Sequence, residues 1–160
     1  MNEMPKLMLI PLRDDYAPSL ARSVTSTETI VGLPRERKDS VGKVHRVSAA
    51  YLCTSAQWQY FLAFTRAYEG LPFLANLQLD DINLQWYECR IIGEYLPFNT
   101  LGAGLFRVQL NLVAKPIKYD IDNDILISTL YQMTDGQIEL YFQMLEKLVN
   151  EDLPAALGGL

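Results

Sequence analysis

The stretch T-S-A-Q-W-Q-Y-F-L-A-F-T-R-A-Y-E-G-L-P-F-L-A-N-L-Q-L, Thr54 to Leu79, constrains the fold more than any other. Thr54 and Gln57 have the spacing of a capping box, in which each side chain satisfies a backbone N–H at a helix start. Trp58, Phe61, Leu62, Thr65 and Tyr68 then share one helical face, with Arg66 and Glu69 off it. Gly70 sits where a left-handed cap belongs, and Pro72 blocks continuation. From Phe73 the period changes to two, with Phe73, Ala75, Leu77 and Leu79 pointing one way. A helix over 54–69 this rich in aromatics needs an apolar sheet to cover, and the flanking segments read as the strands of that sheet.

Lys43 to Cys53 alternates, with Val47, Ala49 and Tyr51 on one face, and reads as the strand entering the helix. Asp80 to Asn83 makes a turn, and Leu84 to Ile92 returns antiparallel, with an aromatic on either face. Pro97 to Gly104 reads as a turn-rich loop, and Leu105 to Ala114 as the clearest strand, with Phe106, Val108, Leu110, Leu112 and Ala114 inward. Near the N-terminus, Leu7 to Leu12 is an apolar run broken by Pro11, suited to an edge strand or an arm, and Asp14 to Pro18 is turn-like. Ala21 to Val31 reads as a half-exposed strand, and Gly32 to Gly42 as a charged hairpin loop.

Charge divides the chain near Pro116. Residues 1–116 carry 12 Lys+Arg against 11 Asp+Glu, and residues 117–160 carry 2 against 8. This predicts a neutral domain over 1–116 and an acidic helical extension over 117–160. In the extension, Asp124 to Met133 is readable as helix or strand. Thr134 and Gln137 repeat the capping-box spacing ahead of an apolar stripe of Ile138, Tyr141, Phe142, Leu145, Leu148 and Val149, ended by Pro154. The final A-A-L-G-G-L reads as a frayed end. No apolar run is long enough for a membrane helix, and no signal peptide is read at the N-terminus.

Residues that could do chemistry are sparse. His45 is the only histidine, lies in a strand beside Arg46, and has no partner for a dyad. Asp120-x-Asp122-Asn123-Asp124 resembles the start of a calcium loop. It has Ile125 in place of the turn glycine and Tyr131 in place of the bidentate acid, so it reads as a solvated linker and helix cap. Gly102-Ala103-Gly104 lacks the lysine and the context of a phosphate cradle. Cys53 and Cys89 read as small buried hydrophobes. The expectation is no catalytic residue, no cofactor, no metal and no enzyme. Arg35, Arg37 and Lys38, with Lys43 and Arg46 near, form one basic cluster in a chain of net charge −5. That balance makes the chain a poor nucleic-acid binder, and the cluster reads as a contact for an acidic protein face.

The order of these features resembles that of the small minor tail proteins of long-tailed bacteriophages, the lambda type. The features are a loop with Gly32 and Arg35-x-Arg37, a helix containing F-L-A-F, Gly70-Leu71-Pro72-Phe73 opening a strand, Tyr87-Glu88-Cys89-Arg90, and the last strand F-R-V-Q-L-N-L-V. The resemblance covers about Arg13 to Pro116 and implies a non-enzymatic β-sandwich-like module, without catalytic residues. It would be assembled in the host cytoplasm into the virion as a ring, a hexamer or a multiple, joining the tail tube to the tip, baseplate or collar and its fibres. The fold expected is α+β, an antiparallel β-sandwich-like or curled sheet with one inserted helix and a helical C-terminal extension. The interface residues expected are Arg35, Arg37, Lys38, Lys43 and Arg46 on one side and Tyr141, Phe142 and Leu145 on the other. The competing class is a stand-alone fibre-anchoring or carbohydrate-recognition module with Trp58, Trp86, Tyr51, Tyr87 and Tyr95 as its aromatic platform.

Overall fold

The computed structural model describes residues 4–38, 43–118, 120–153 and 158. The chain divides into two compact units, Met1–Ile117 and Lys118–Leu160. The first is an α+β domain. Its strands are β1 (Lys6–Leu7), β2 (Ala17–Ser19), β3 (Val24–Thr27), β4 (Arg35–Lys38), β5 (His45–Cys53), β6 (Phe73–Leu77), β7 (Gln85–Ile91), β8 (Phe98–Gly102) and β9 (Leu105–Ala114), with helix α1 (Ser55–Ala67) inserted between β5 and β6. Seven strands form one sheet in the order β1-β6-β7-β9-β5-β2, with β8 also paired to β9; β3 and β4 form a separate ribbon. All pairings are antiparallel except β1 with β6.

β9 is the hub of the sheet. β5 lies along its whole length on one edge, while β8 and β7 share the other edge, opposite 105–108 and 112–114. Strict alternation sends Val47, Ala49, Tyr51 and Cys53 of β5, Val108, Leu110, Leu112 and Ala114 of β9, and Phe73, Ala75 and Leu77 of β6 into one core. For β7, whose two faces each carry an aromatic, the structure selects Tyr87 and Cys89 as buried and leaves Trp86 and Arg90 exposed. Asp80 N–H donates to the Tyr87 hydroxyl at 2.8 Å, so the inward tyrosine has a polar partner at the turn.

The capping box of α1 is present in both halves. Gln57 N–H donates to Thr54 Oγ1, and Thr54 N–H to Gln57 Oε1. The helix lies on the sheet through Trp58, whose ring packs on Phe61, Phe98 and Phe106 with centroids 5.0–5.6 Å apart, and through Phe64, edge-on to Phe73 at 5.4 Å. The buried stripe is rotated from the expected one. Phe64 is buried and Tyr60 packs on the core, whereas Tyr68 is exposed beyond the rim. Gly70 takes the left-handed conformation (φ 72°) that its position requires.

The N-terminal arm reaches both ends of the sheet. Leu74 N–H donates to Pro5 O on the β6 side, and Leu12 N–H donates to Ala50 O on the β5 side. Between them Leu7 and Leu9 are buried, and the Tyr60 hydroxyl donates to Lys6 O and accepts from Met8 N–H. Strands adjacent in sequence, β1 and β2, therefore sit at opposite ends of the strand order. Tyr16 fastens the far end of the arm: its hydroxyl donates to Gln78 O at 2.9 Å and accepts from Gln78 N–H at 3.1 Å.

Several expected segments differ. The strand read over Ala21–Val31 is Val24–Thr27 alone, because the chain turns at 28–34 around Gly32 (φ 98°). The loop read over Gly32–Gly42 contains β4, whose arginines pair with threonines across the ribbon; residues 39–42 lie outside the described residues. The loop read over Pro97–Gly104 contains β8, held because Phe98 reaches Trp58. Gly102, Ala103 and Gly104, all at positive φ, make the turn into β9. The turn at Asp14–Pro18 leads into β2.

The second unit holds α2 (Ile121–Met133), α3 (Ile138–Lys147) and a π-helical turn, Leu148–Asp152. The ambiguous 124–133 segment is helical, with Asp120 as N-cap accepting from Asp122 N–H. The capping box read at Thr134 and Gln137 does not form. Thr134 closes α2 instead, its hydroxyl donating to Leu130 O at 2.7 Å, and Gln137 caps α3 without a side-chain hydrogen bond. Pro154 and most of the final residues lie outside the described residues.

Among the described residues three buried side-chain polar atoms lack a hydrogen-bond partner: His45 Nε2, Asn76 Oδ1 and the Tyr51 hydroxyl. The Tyr51 hydroxyl is fully buried with no hydrogen-bond partner among the described residues, and burial raises its pKa far above the ordinary phenol value. A buried unpaired hydroxyl costs about 1–3 kcal/mol of desolvation. Tyr51→Phe is therefore expected to leave stability unchanged or raise it by up to about 2 kcal/mol in urea unfolding. A loss above about 1 kcal/mol would mean that the hydroxyl is engaged.

Candidate assembly surface

The β3–β4 ribbon carries the basic cluster, and its register decides which cations act together. Thr25 lies opposite Arg37 and Thr27 opposite Arg35, so Arg35 and Arg37 share one face of the ribbon. Lys38, opposite Val24, is on the other face, where Glu36 is paired with Arg22 at 3.0 Å. Arg46 is on β5, on the outer face of the main sheet opposite Val113, and Lys43 is exposed ahead of β5. The five cations are thus divided among surfaces, with Arg35 and Arg37 the pair brought together. At the tip, Thr29 Oγ1 donates to Leu33 O, and Ile30, Val31 and Leu33 are 104, 88 and 90% exposed. Sequence reasoning placed these three in a strand and a loop; Gly32 and Pro34 inside an apolar run were the signal of a turn with an apolar tip.

The second surface is in the C-terminal unit. Neither α2 nor α3 has a buried residue. On α3 and the π-helical turn that continues it, Tyr141, Phe142, Leu145, Leu148 and Val149 are between 41 and 51% exposed, and the Tyr141 and Phe142 rings meet edge-on at 5.8 Å. At 100° per residue, Glu139 and Glu146 fall together on one flank of this stripe and Lys147 falls opposite it. α2 is apolar on several sides at once, with Ile121, Ile125, Leu126, Ile127, Tyr131 and Met133 all exposed. Helices apolar all round belong in buried positions.

The polar groups that most resemble a catalytic pair, His45 and Asp80, contact segments distant in the chain. His45 is 5% exposed; its Nδ1 accepts from Ala21 N–H at 2.9 Å, and its Nε2 lies 2.9 Å from Asp80 Oδ1. The Nε2–H is not aimed at that oxygen, so the pair is an electrostatic approach rather than a well-formed hydrogen bond. Asp80 Oδ2 accepts from Ile117 N–H, tying the end of β6 to the chain beyond β9. Among the described residues no group of three or more His, Cys, Asp or Glu is placed to hold a metal. Cys53 and Cys89 are free and buried, and burial pushes the Cys89 thiol up to about 12, so it stays protonated at neutral pH. A hollow of about 430 Å³ at the end of α1 mixes Arg66 and Arg90 with Glu69 and Glu94 rather than gathering one sign of charge. Of the aromatics weighed as a sugar platform, Tyr51 and Tyr87 are buried and Trp58 is packed among phenylalanines; Trp86 and Tyr95 are exposed. Among the described residues no helix is long and apolar enough to cross a membrane.

No protein-family model, curated protein or solved structure matches the chain.

Proposed function

We propose that this protein is a structural subunit of a bacteriophage tail, forming a ring that connects the tail tube to the tip, baseplate or collar and its fibres. The observation that carries the reading is the uncovered apolar stripe of α3, in a unit whose other helix, α2, is equally exposed. Contiguous apolar surface of this kind marks a contact with another macromolecule. The exposed apolar tip of the ribbon is a second such surface. The order of motifs over Arg13 to Pro116 supplies the kind of assembly. Self-contacts between two different patches close into rings when the rotation permits.

Light scattering after size exclusion, with negative-stain imaging of the same fractions, tests the reading. The expected species is a ring with a mass at least six times 18.2 kDa, or one that binds tail particles. A protein that stays monomeric at high concentration and does not associate with tail particles overturns it.

A further inference from the structure

We propose that the β3–β4 hairpin tip of one copy docks on the α3 stripe of a second copy, making the repeating contact of the ring. The inference rests on the ring reading above and names the surfaces that form it. Ile30, Val31 and Leu33 are among the most exposed apolar side chains of the chain, on a ribbon that pairs with no other strand among the described residues. Tyr141, Phe142 and Leu145 present an apolar surface of matching character.

Charge selects this pairing over its alternatives. The Lys118–Leu160 unit carries two Lys+Arg against eight Asp+Glu, so two α3 stripes facing each other would bring like charges together. The ribbon and its approach, residues 22–38, carry Arg22, Arg35, Arg37 and Lys38 against Glu28 and Glu36. A tip seated on the stripe sets the Arg35 face beside the flank occupied by Glu139 and Glu146. The contact then has an apolar centre and a charged rim of opposite sign, the layout of a specific protein interface. Each contact is small, and closure of the ring multiplies it through effective concentration. Two different patches, one donating and one receiving, also make the contact head-to-tail, as a ring requires.

Cysteine cross-linking in the full chain tests the proposal. An Ile30→Cys copy mixed with a Leu145→Cys copy is expected to give a mixed disulfide dimer on mild oxidation, in excess over either variant alone. Both positions are exposed, and the native thiols are buried. In parallel, Arg35→Glu is expected to weaken association about tenfold and Glu146→Arg in the same chain to restore most of it. Ile30→Asp with Leu33→Asp is expected to weaken it at least about thirtyfold. Links dominated by Leu145 to Leu145, or links formed only within one chain carrying both cysteines, overturn the docking. So does wild-type association in the Ile30→Asp, Leu33→Asp variant. If rings form without the mixed link, the docking fails and the ring reading stands. If the wild-type chain never associates with itself or with particles, both fail.

Discussion

Replacing Phe61 with alanine is expected to lower the unfolding free energy by about 3–5 kcal/mol. Phe61 is 1% exposed, and its ring stacks on Trp58 at 5.6 Å, which in turn packs on Phe98 and Phe106. Truncation removes a large apolar surface from the helix–sheet seam and leaves a cavity that the β strands cannot collapse into, since each is fixed by its ladder. The aromatic stack loses a member besides, and such ring pairs contribute about 0.5–1.5 kcal/mol beyond burial. Urea unfolding followed by tryptophan emission measures the loss, because Trp58 reports on the same seam. A midpoint within experimental error of the wild type would show that α1 does not seal the core.

Truncating Leu7 and Leu9 together to alanine is expected to leave the domain largely unfolded at 25 °C. Each buried leucine lost costs about 2–5 kcal/mol, and the pair together approaches the total stability of an ordinary domain, about 5–15 kcal/mol. Both residues lie in a short arm whose backbone bonds reach β6 at one end and β5 at the other. Loosening the arm therefore withdraws core packing and uncovers two sheet edges at once, and exposed edges invite aggregation. Near-UV circular dichroism and dye binding read the outcome; a native spectrum with an unchanged urea midpoint would remove the arm from the core.

Elements whose signals are local were legible from the order of residues alone. The Thr54–Gln57 box, the stop at Gly70 and Pro72, and the alternation of β5, β6 and β9 each depend on neighbours a few residues away. The acidic extension was legible too, since charge needs no fold to be counted. The remaining features depend on partners far along the chain, which meet only on folding. The arm became core because β5 and β6 end up on opposite flanks of it, and β8 exists because Phe98 finds Trp58. The inward face of β7 was chosen by packing, since alternation is equally good for either parity. Thr134 donates its hydroxyl back to the carbonyl of Leu130 and closes α2, whereas a capping box would have had its oxygen accept from the Gln137 N–H. The basic cluster was visible as composition, but the pairing of Thr27 with Arg35 split it. Cross-strand register places residues on faces, and register is set by where the turn at Gly32 falls.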